Sequence, residues 1–329
     1  MPINPTDAHV AVQWQHDSPL IACRFDPQGR YVFTSAEDNS VQRWKLADGQ
    51  KTVLKAHDSW VFSLAVAKDG SQVISGGGDG RLVWWPVEGE APAPIRTVEA
   101  HAGWIRSLAI SPDGQFLASA GNDRLVKLWS LADGALVRQF TGHDSHVYSV
   151  EFHPSGTWVL SGDLKGTIQQ WDVATGAVVR SFDAKALWSY NGGQMVDFGG
   201  VRSLAVSADG RYLAAGGLNN ASNPLGAVHD PIALLFEWES QKLLQTHVAE
   251  GAKGSYWRLV FHPEGWLIGV NGGSSGGHVS FWKPDNAKEA HRFGLPNIAR
   301  DLDLHADHLQ LATSHHDRHV RITKLTPKG

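Results

Sequence analysis

The 329-residue chain has a single cysteine, Cys23. No disulfide can form within it, and no zinc site built on several thiolates is available. It also lacks an excess of one charge: 29 basic and 33 acidic side chains leave a formal net charge of −4, with no long run of either sign. That balance argues against the broad basic face that grips nucleic acid or anionic membrane, so neither partner is expected. No stretch approaches the ~18 uninterrupted apolar residues that a membrane-spanning helix needs. The amino-terminal MPINPTDAHVAVQWQ has no basic segment leading into an apolar run and does not read as a secretory signal, so a soluble cytoplasmic chain is expected. A sustained period of ~3.6 residues, the mark of amphipathic helices, is also missing. What the chain has in plenty is glycine and tryptophan, 35 and 14 residues. That combination suits short strands joined by tight turns.

These two residues mark a repeat. Gly29 precedes Trp44, Gly70 precedes Trp85, Gly114 precedes Trp129 and Gly156 precedes Trp171, each by 15 residues. Gly210 to Trp238 is 28 residues and Gly265 to Trp282 is 17, while a weaker copy runs from His308 to Thr323, again 15. Within each copy, segments such as FLASAG and LVKLW alternate with period two between turn dipeptides, so each copy reads as four short strands.

The copies resemble WD repeats, the units of ~40–45 residues that form the blades of β-propellers. The literal dipeptides occur as Gly142-His143 and Trp171-Asp172. Elsewhere they become Gln15-His16, Ala56-His57 and Ala100-His101, or Trp44-Lys45, Trp85-Pro86, Trp129-Ser130 and Trp238-Glu239. The resemblance implies an all-β, seven-bladed propeller of four-stranded antiparallel blades over residues 1–329, with blades starting near 16, 57, 101, 143, 197, 252 and 295. The last copy, ending HVRITKL, is one strand short; residues 8–15, with Trp14, are expected to pair with 319–325 and close the ring.

Inside HAGWIRSLAISPDGQFLASAGNDRLVKLWS lie His101, Ser119 and Asp123, the residue types of a hydrolase triad. The set recurs in register, with tryptophan added: His16, Thr34, Asp38 and Trp44; His57, Ser75, Asp79 and Trp85; and Trp129 completing the third. A fourth copy keeps His143, Ser161 and Trp171 but has Lys165 where the aspartate is expected. Asp317 is the corresponding residue of blade seven, and blades five and six have none. A reactive centre rarely recurs at constant spacing along one chain. In WD repeats such residues resemble a structural tetrad, so no catalytic residue is expected here.

Function is instead expected on the face that carries the b–c turns and blade links. Two enlargements, 183–200 and 216–231, fall on that face. Long loops interrupting a regular array either bind or merely cap. Eight residues before each turn glycine or its equivalent stand Ile21, Phe62, Arg106, Tyr148, Arg202, Trp257 and Arg300, and two residues earlier come Trp60, Trp104 and His146. A rim of aromatics and arginines has the composition of binding hot spots. The resemblance implies a non-catalytic scaffold, monomeric on its own and without cofactor. It would bind a protein or peptide partner near blades four to six through these residues, its arginines meeting partner carboxylates. The competing reading is a small-ligand protein or enzyme at the channel mouth, lidded by 216–231.

Two other segments read blandly. The histidines of LHADHLQLATSHHDRH, residues 304–319, are expected to be solvated turn residues, His315 among them, with no metal held. The glycine-rich 269–279 lacks the Gly-Lys-Ser/Thr ending of a phosphate loop and reads as a flexible b–c turn.

Overall fold

Apolar residues alternate through almost every strand segment, so each can bury one face only by packing against a neighbouring sheet. The computed structural model, which describes residues 2–221 and 228–328, solves this with seven four-stranded antiparallel sheets arranged as blades, strand a lying innermost. Their inner strands are Leu20–Phe25, Val61–Val66, Ile105–Ile110, Val147–Phe152, Ser203–Val206, Ser255–Phe261 and Ala299–Leu304. The last blade takes its outer strand from His9–Gln15, which pairs antiparallel with His319–Lys324 and sets Trp14 opposite Val320. Closure therefore covers the edge that His319–Lys324 would otherwise leave open and joins the two ends of the chain in one blade.

The core lies between blades. One cluster joins Ile74, Leu82 and Trp84 of blade two to Ile105, Leu117 and Trp129 of blade three. Inner strands are also tied laterally by side chains. Ser63 Oγ accepts from Leu108 N at 3.0 Å, Ser107 Oγ from Val150 N at 3.2 Å, and Ser203 Oγ from Leu259 N at 2.9 Å. In the closing contact Asp301 Oδ2 does the same for Cys23 N at 3.0 Å. Each bond satisfies a buried amide that inter-blade packing would otherwise strand.

Three sequence expectations need correction here. In blade five the residue paired as Trp129 is paired in blade three is Phe236, opposite Leu213, and Trp238 lies just beyond the strand. Trp238 instead packs across the blade boundary on His153 and Trp158. Much of 216–231 is an extension of the strands Tyr212–Asn219 and Asp230–Glu237; the tip, 222–227, lies outside the described residues. The glycine-rich 269–279 is not a flexible turn but most of the hairpin Leu267–Gly273 and Gly276–Trp282. Glycine is needed there because the backbone of the next blade approaches closely: a Cβ at Gly272 would lie 2.3 Å from the Ala299 carbonyl oxygen.

Candidate functional site at the channel mouth

The histidine–serine–aspartate sets form hydrogen-bonded chains inside blades. In blade three the Trp129 indole donates to Ser119 Oγ at 2.8 Å, and Ser119 Oγ lies 2.7 Å from His101 Nε2. His101 Nδ1 lies 2.9 and 3.0 Å from the Asp123 oxygens. Blade two repeats it, with Trp85 to Ser75 at 2.9 Å, Ser75 to His57 at 2.8 Å and His57 to Asp79 at 3.0 Å. Burial alone would raise the Asp79 and Asp123 carboxyls, but bonds from the histidines and from backbone N–H groups hold both below the usual carboxylate range. The bonding order matches a hydrolytic triad, yet Ser75 and Ser119 are 0% exposed. No substrate reaches a sealed hydroxyl whose lone pair is already taken by an indole.

The other blades solve the same polar problem differently. Blade four does have its carboxylate: Asp163, two residues before Lys165, accepts from His143 at 2.9 Å, while Lys165 is exposed. In blade one His16 meets Asp38 at 2.9 Å, but Gln42 stands between His16 and Thr34, 3.2 Å from the first and 2.7 Å from the second. The Trp44 indole still donates to Thr34 at 2.8 Å. In blade seven Asp317 pairs with Arg321 at 2.6 Å and with the His319 imidazole at 3.3 Å, and the imidazole beside the blade's hydroxyl is a different one. It is His315, which is buried against Thr313 at 2.8 Å and is no solvated turn residue. In blade six Tyr256 fills the space beside Gly269 and bonds Ser280 at 2.8 Å.

The rim positions have a backbone cause that composition did not reveal. The antiparallel register slips across Phe62, Arg106, Tyr148, Trp257 and Arg300, each flanked by paired residues on strand a. The slip across Leu20 to Cys23 takes in Ile21 as well. A bulge releases its residue from the ladder and re-aims it, and all of these, with Arg202, line one cavity of about 300 Å³ at the channel mouth. Trp60 lies in the same lining. Trp104 and His146 do not, although Trp104 stacks on Phe62 at 5.0 Å between ring centres and His146 is exposed.

Arginines and rings alternate around this mouth. The Arg106 guanidinium carbon is 4.5 Å from the Trp104 ring centre and 5.0 Å from that of Tyr148. Arg202 stands 4.3 Å from Tyr148 and 5.6 Å from Trp257. Deeper and lateral arginines are already neutralised: Arg24 by Asp301 at 2.6 Å, Arg300 by Glu37 at 2.6 Å, and Arg258 facing Glu151 at 3.9 Å. Burial drives the Arg106 guanidinium down to about 10, with Arg202 adding to the effect, and lowers Arg202 as well.

The enlargements stand together beside this mouth. Residues 183–200 form a short turn, Lys185–Leu187, and a hairpin, Trp188–Asn191 with Val196–Gly199, that leaves Tyr190 and Met195 exposed. The hairpin touches the blade-five extension through Ser189 Oγ and the Ala221 carbonyl at 3.4 Å and through the Phe198 and His229 rings. Among the described residues no group of three or more His, Cys, Asp or Glu side chains is placed to hold a metal, and no helix is long and apolar enough to cross a membrane.

Seven blades with sealed polar chains and a cationic, aromatic channel mouth define a β-propeller whose open surface is suited to recognition. The family model described as WD domain, G-beta repeat, matches residues 8–45, 49–86, 92–130, 134–172 and 185–221, and the chain belongs to that family. Over 91 residues it is 29% identical to eukaryotic translation initiation factor 3 subunit I of Scheffersomyces stipitis, covering 25% of this chain and 26% of that one. Over 99 residues it is 30% identical to striatin-3 of Homo sapiens, covering 26% of this chain and 12% of that one. The chain thus aligns with about a quarter or less of the length of these curated relatives.

Proposed function

We propose that the chain is a non-catalytic scaffold that captures a protein or peptide partner at the mouth of its central channel, on the face of the b–c turns. The observation that carries this reading is the convergence of strand-a bulges, which bring Phe62, Arg106, Tyr148 and Trp257 into one cavity. Against that open cavity, the triad-like sets that have all three members bonded in order among the described residues lie sealed inside blades, as at Ser119. Trp60 and Trp104 add 44% and 42% exposed aromatic surface at the edge, the kind of rigid anchor that dominates interface energetics. Relatives include a protein named as a subunit of a larger factor, which agrees with recognition rather than chemistry.

The test is affinity capture from the native cell with the full chain. Replacement of Trp60 and Trp257 by alanine is expected to abolish recovery of partners. Asp133→Lys and Lys242→Glu, at exposed turns on the opposite face, leave it unchanged. Equal losses from both sets would refute the placement. A cavity of about 300 Å³ also lies at the small end of ligand pockets, which is the observation favouring a small-ligand site. On that reading the tryptophan variants lose binding of the small molecule while protein capture persists.

A further inference from the structure

Two arginines at the channel mouth carry charge that nothing described in the chain neutralises. Arg106 Nε donates to the Asn122 side-chain oxygen at 2.9 Å, a neutral acceptor. Arg202 Nε is buried with no hydrogen-bond partner among the described residues. Neither has a carboxylate within ion-pair distance among those residues, whereas Arg24 and Arg300, also lining the cavity, each have one at 2.6 Å. The undescribed segment 222–227 reads SNPLGA and contains no acid. What the two do have is π-surface: both guanidiniums lie within 5.0 Å of the centre of the Tyr148 ring. Rings soften the cost of holding a cation out of water, but neither they nor the neutral Asn122 amide supplies a negative charge.

A protein that keeps two such cations at the lip of a cavity, in a chain of net charge −4, has placed them for an anion that arrives from outside. We propose that the partner captured at this site is an extended acidic peptide, and that one of its aspartate or glutamate carboxylates enters the cavity beside Tyr148 to pair with Arg106 and Arg202. This rests on the docking reading above and adds the chemistry by which the partner is chosen. The cavity, about 300 Å³, has room for one side chain and not for a run of nucleotides. The exposed Trp60 and Trp104 beside it offer apolar faces to the residues that flank the acid.

The experiment pans a displayed library of short random peptides against the full chain and measures recovered peptides, dye-labelled, by fluorescence polarisation. Recovered sequences are expected to share an Asp or Glu. Changing that residue to Asn or Gln, or making Arg106→Gln or Arg202→Met in the protein, weakens binding by about tenfold or more. The arginine variants are expected to keep or raise Tm, because each removes an uncompensated buried charge; a purely structural arginine would lower it. Arg106→Lys gives partial binding. Peptides that bind but tolerate Asp→Asn would overturn the carboxylate assignment while leaving docking intact. Phosphoserine far outperforming glutamate at the shared position would overturn it in favour of phosphate. Sodium glutamate competing as well as the peptide would reduce the site to a small-anion pocket. Recovery of no peptide sensitive to Trp60→Ala and Trp257→Ala would sink the docking reading itself.

Discussion

Blade four offers a direct test of the idea that these polar chains are structural, because its carboxylate sits two residues from where blades two and three keep theirs. Asp163 binds His143 Nδ1 at 2.9 Å and accepts from the Lys165 and Thr167 amides, both at 2.9 Å. In blade two the residue matching Asp163 is Gly77, and a Cβ there would fall 2.4 Å from Asp79 Oδ1 and 2.5 Å from His57 Nδ1. Two nearby positions therefore compete for one space, and either can deliver the acid. Asp163→Gly should strand the buried His143 N–H, costing about 1–3 kcal/mol, and glycine in a strand adds about 0.5–1 kcal/mol more. A total near 3 kcal/mol corresponds to a fall in Tm of about 4 °C in a chain of 329 residues. Adding Lys165→Asp rebuilds the arrangement of blade two and should return about 2 kcal/mol, leaving only the glycine cost. Thermal unfolding followed by circular dichroism, on both single variants and the double, reads the coupling directly. A double variant no more stable than Asp163→Gly alone would falsify the claim that the carboxylate–imidazole link matters rather than local backbone shape.

Two further outcomes are accessible to the same apparatus. Ser107→Ala removes the acceptor of the Val150 amide between blades three and four and should cost about 1–3 kcal/mol in urea unfolding; no measurable loss would mean the inner ring does not depend on its serines. Burial holds the His315 imidazole down to about 3 and His278 down to about 4, so the unfolded chain takes up their protons first as pH falls below ~6.5 and stability drops. Each should contribute about 2 kcal/mol of loss by pH ~5, ahead of the carboxylates Asp79 and Asp123, whose depressed values keep their contribution until more acid pH. His278→Gln and His315→Gln variants with an unchanged acid profile would contradict this.

Period-two alternation and the 15-residue Gly-to-Trp interval of the first four copies marked the repeated units, and the resemblance to WD repeats turned seven of them into blades, with the missing strand of the last copy pointing to ring closure. Single positions failed where one blade meets a shared requirement with a different residue. Phe236 carries the strand position that Trp238 seemed to mark, since the longer hairpin of blade five shifts the register against the tryptophan. Asp163 and His315 both stand two residues after the hydroxyl of their blade, a place taken by Gly77 and Gly121 elsewhere. Spacing alone cannot see that these side chains enter the same pocket from another point on the backbone. The rim residues were legible as a column, but the bulge that frees them was not, because a register slip leaves no mark in composition. The serine after the rim residue in blades two to five was visible as Phe62-Ser63, Arg106-Ser107, Tyr148-Ser149 and Arg202-Ser203; its meaning needed the neighbouring blade. That serine binds the adjacent strand while the residue before it is released into the cavity. One backbone irregularity therefore both locks the ring and exposes the mouth, and a substitution that restored regular pairing in strand a would weaken recognition and stability together.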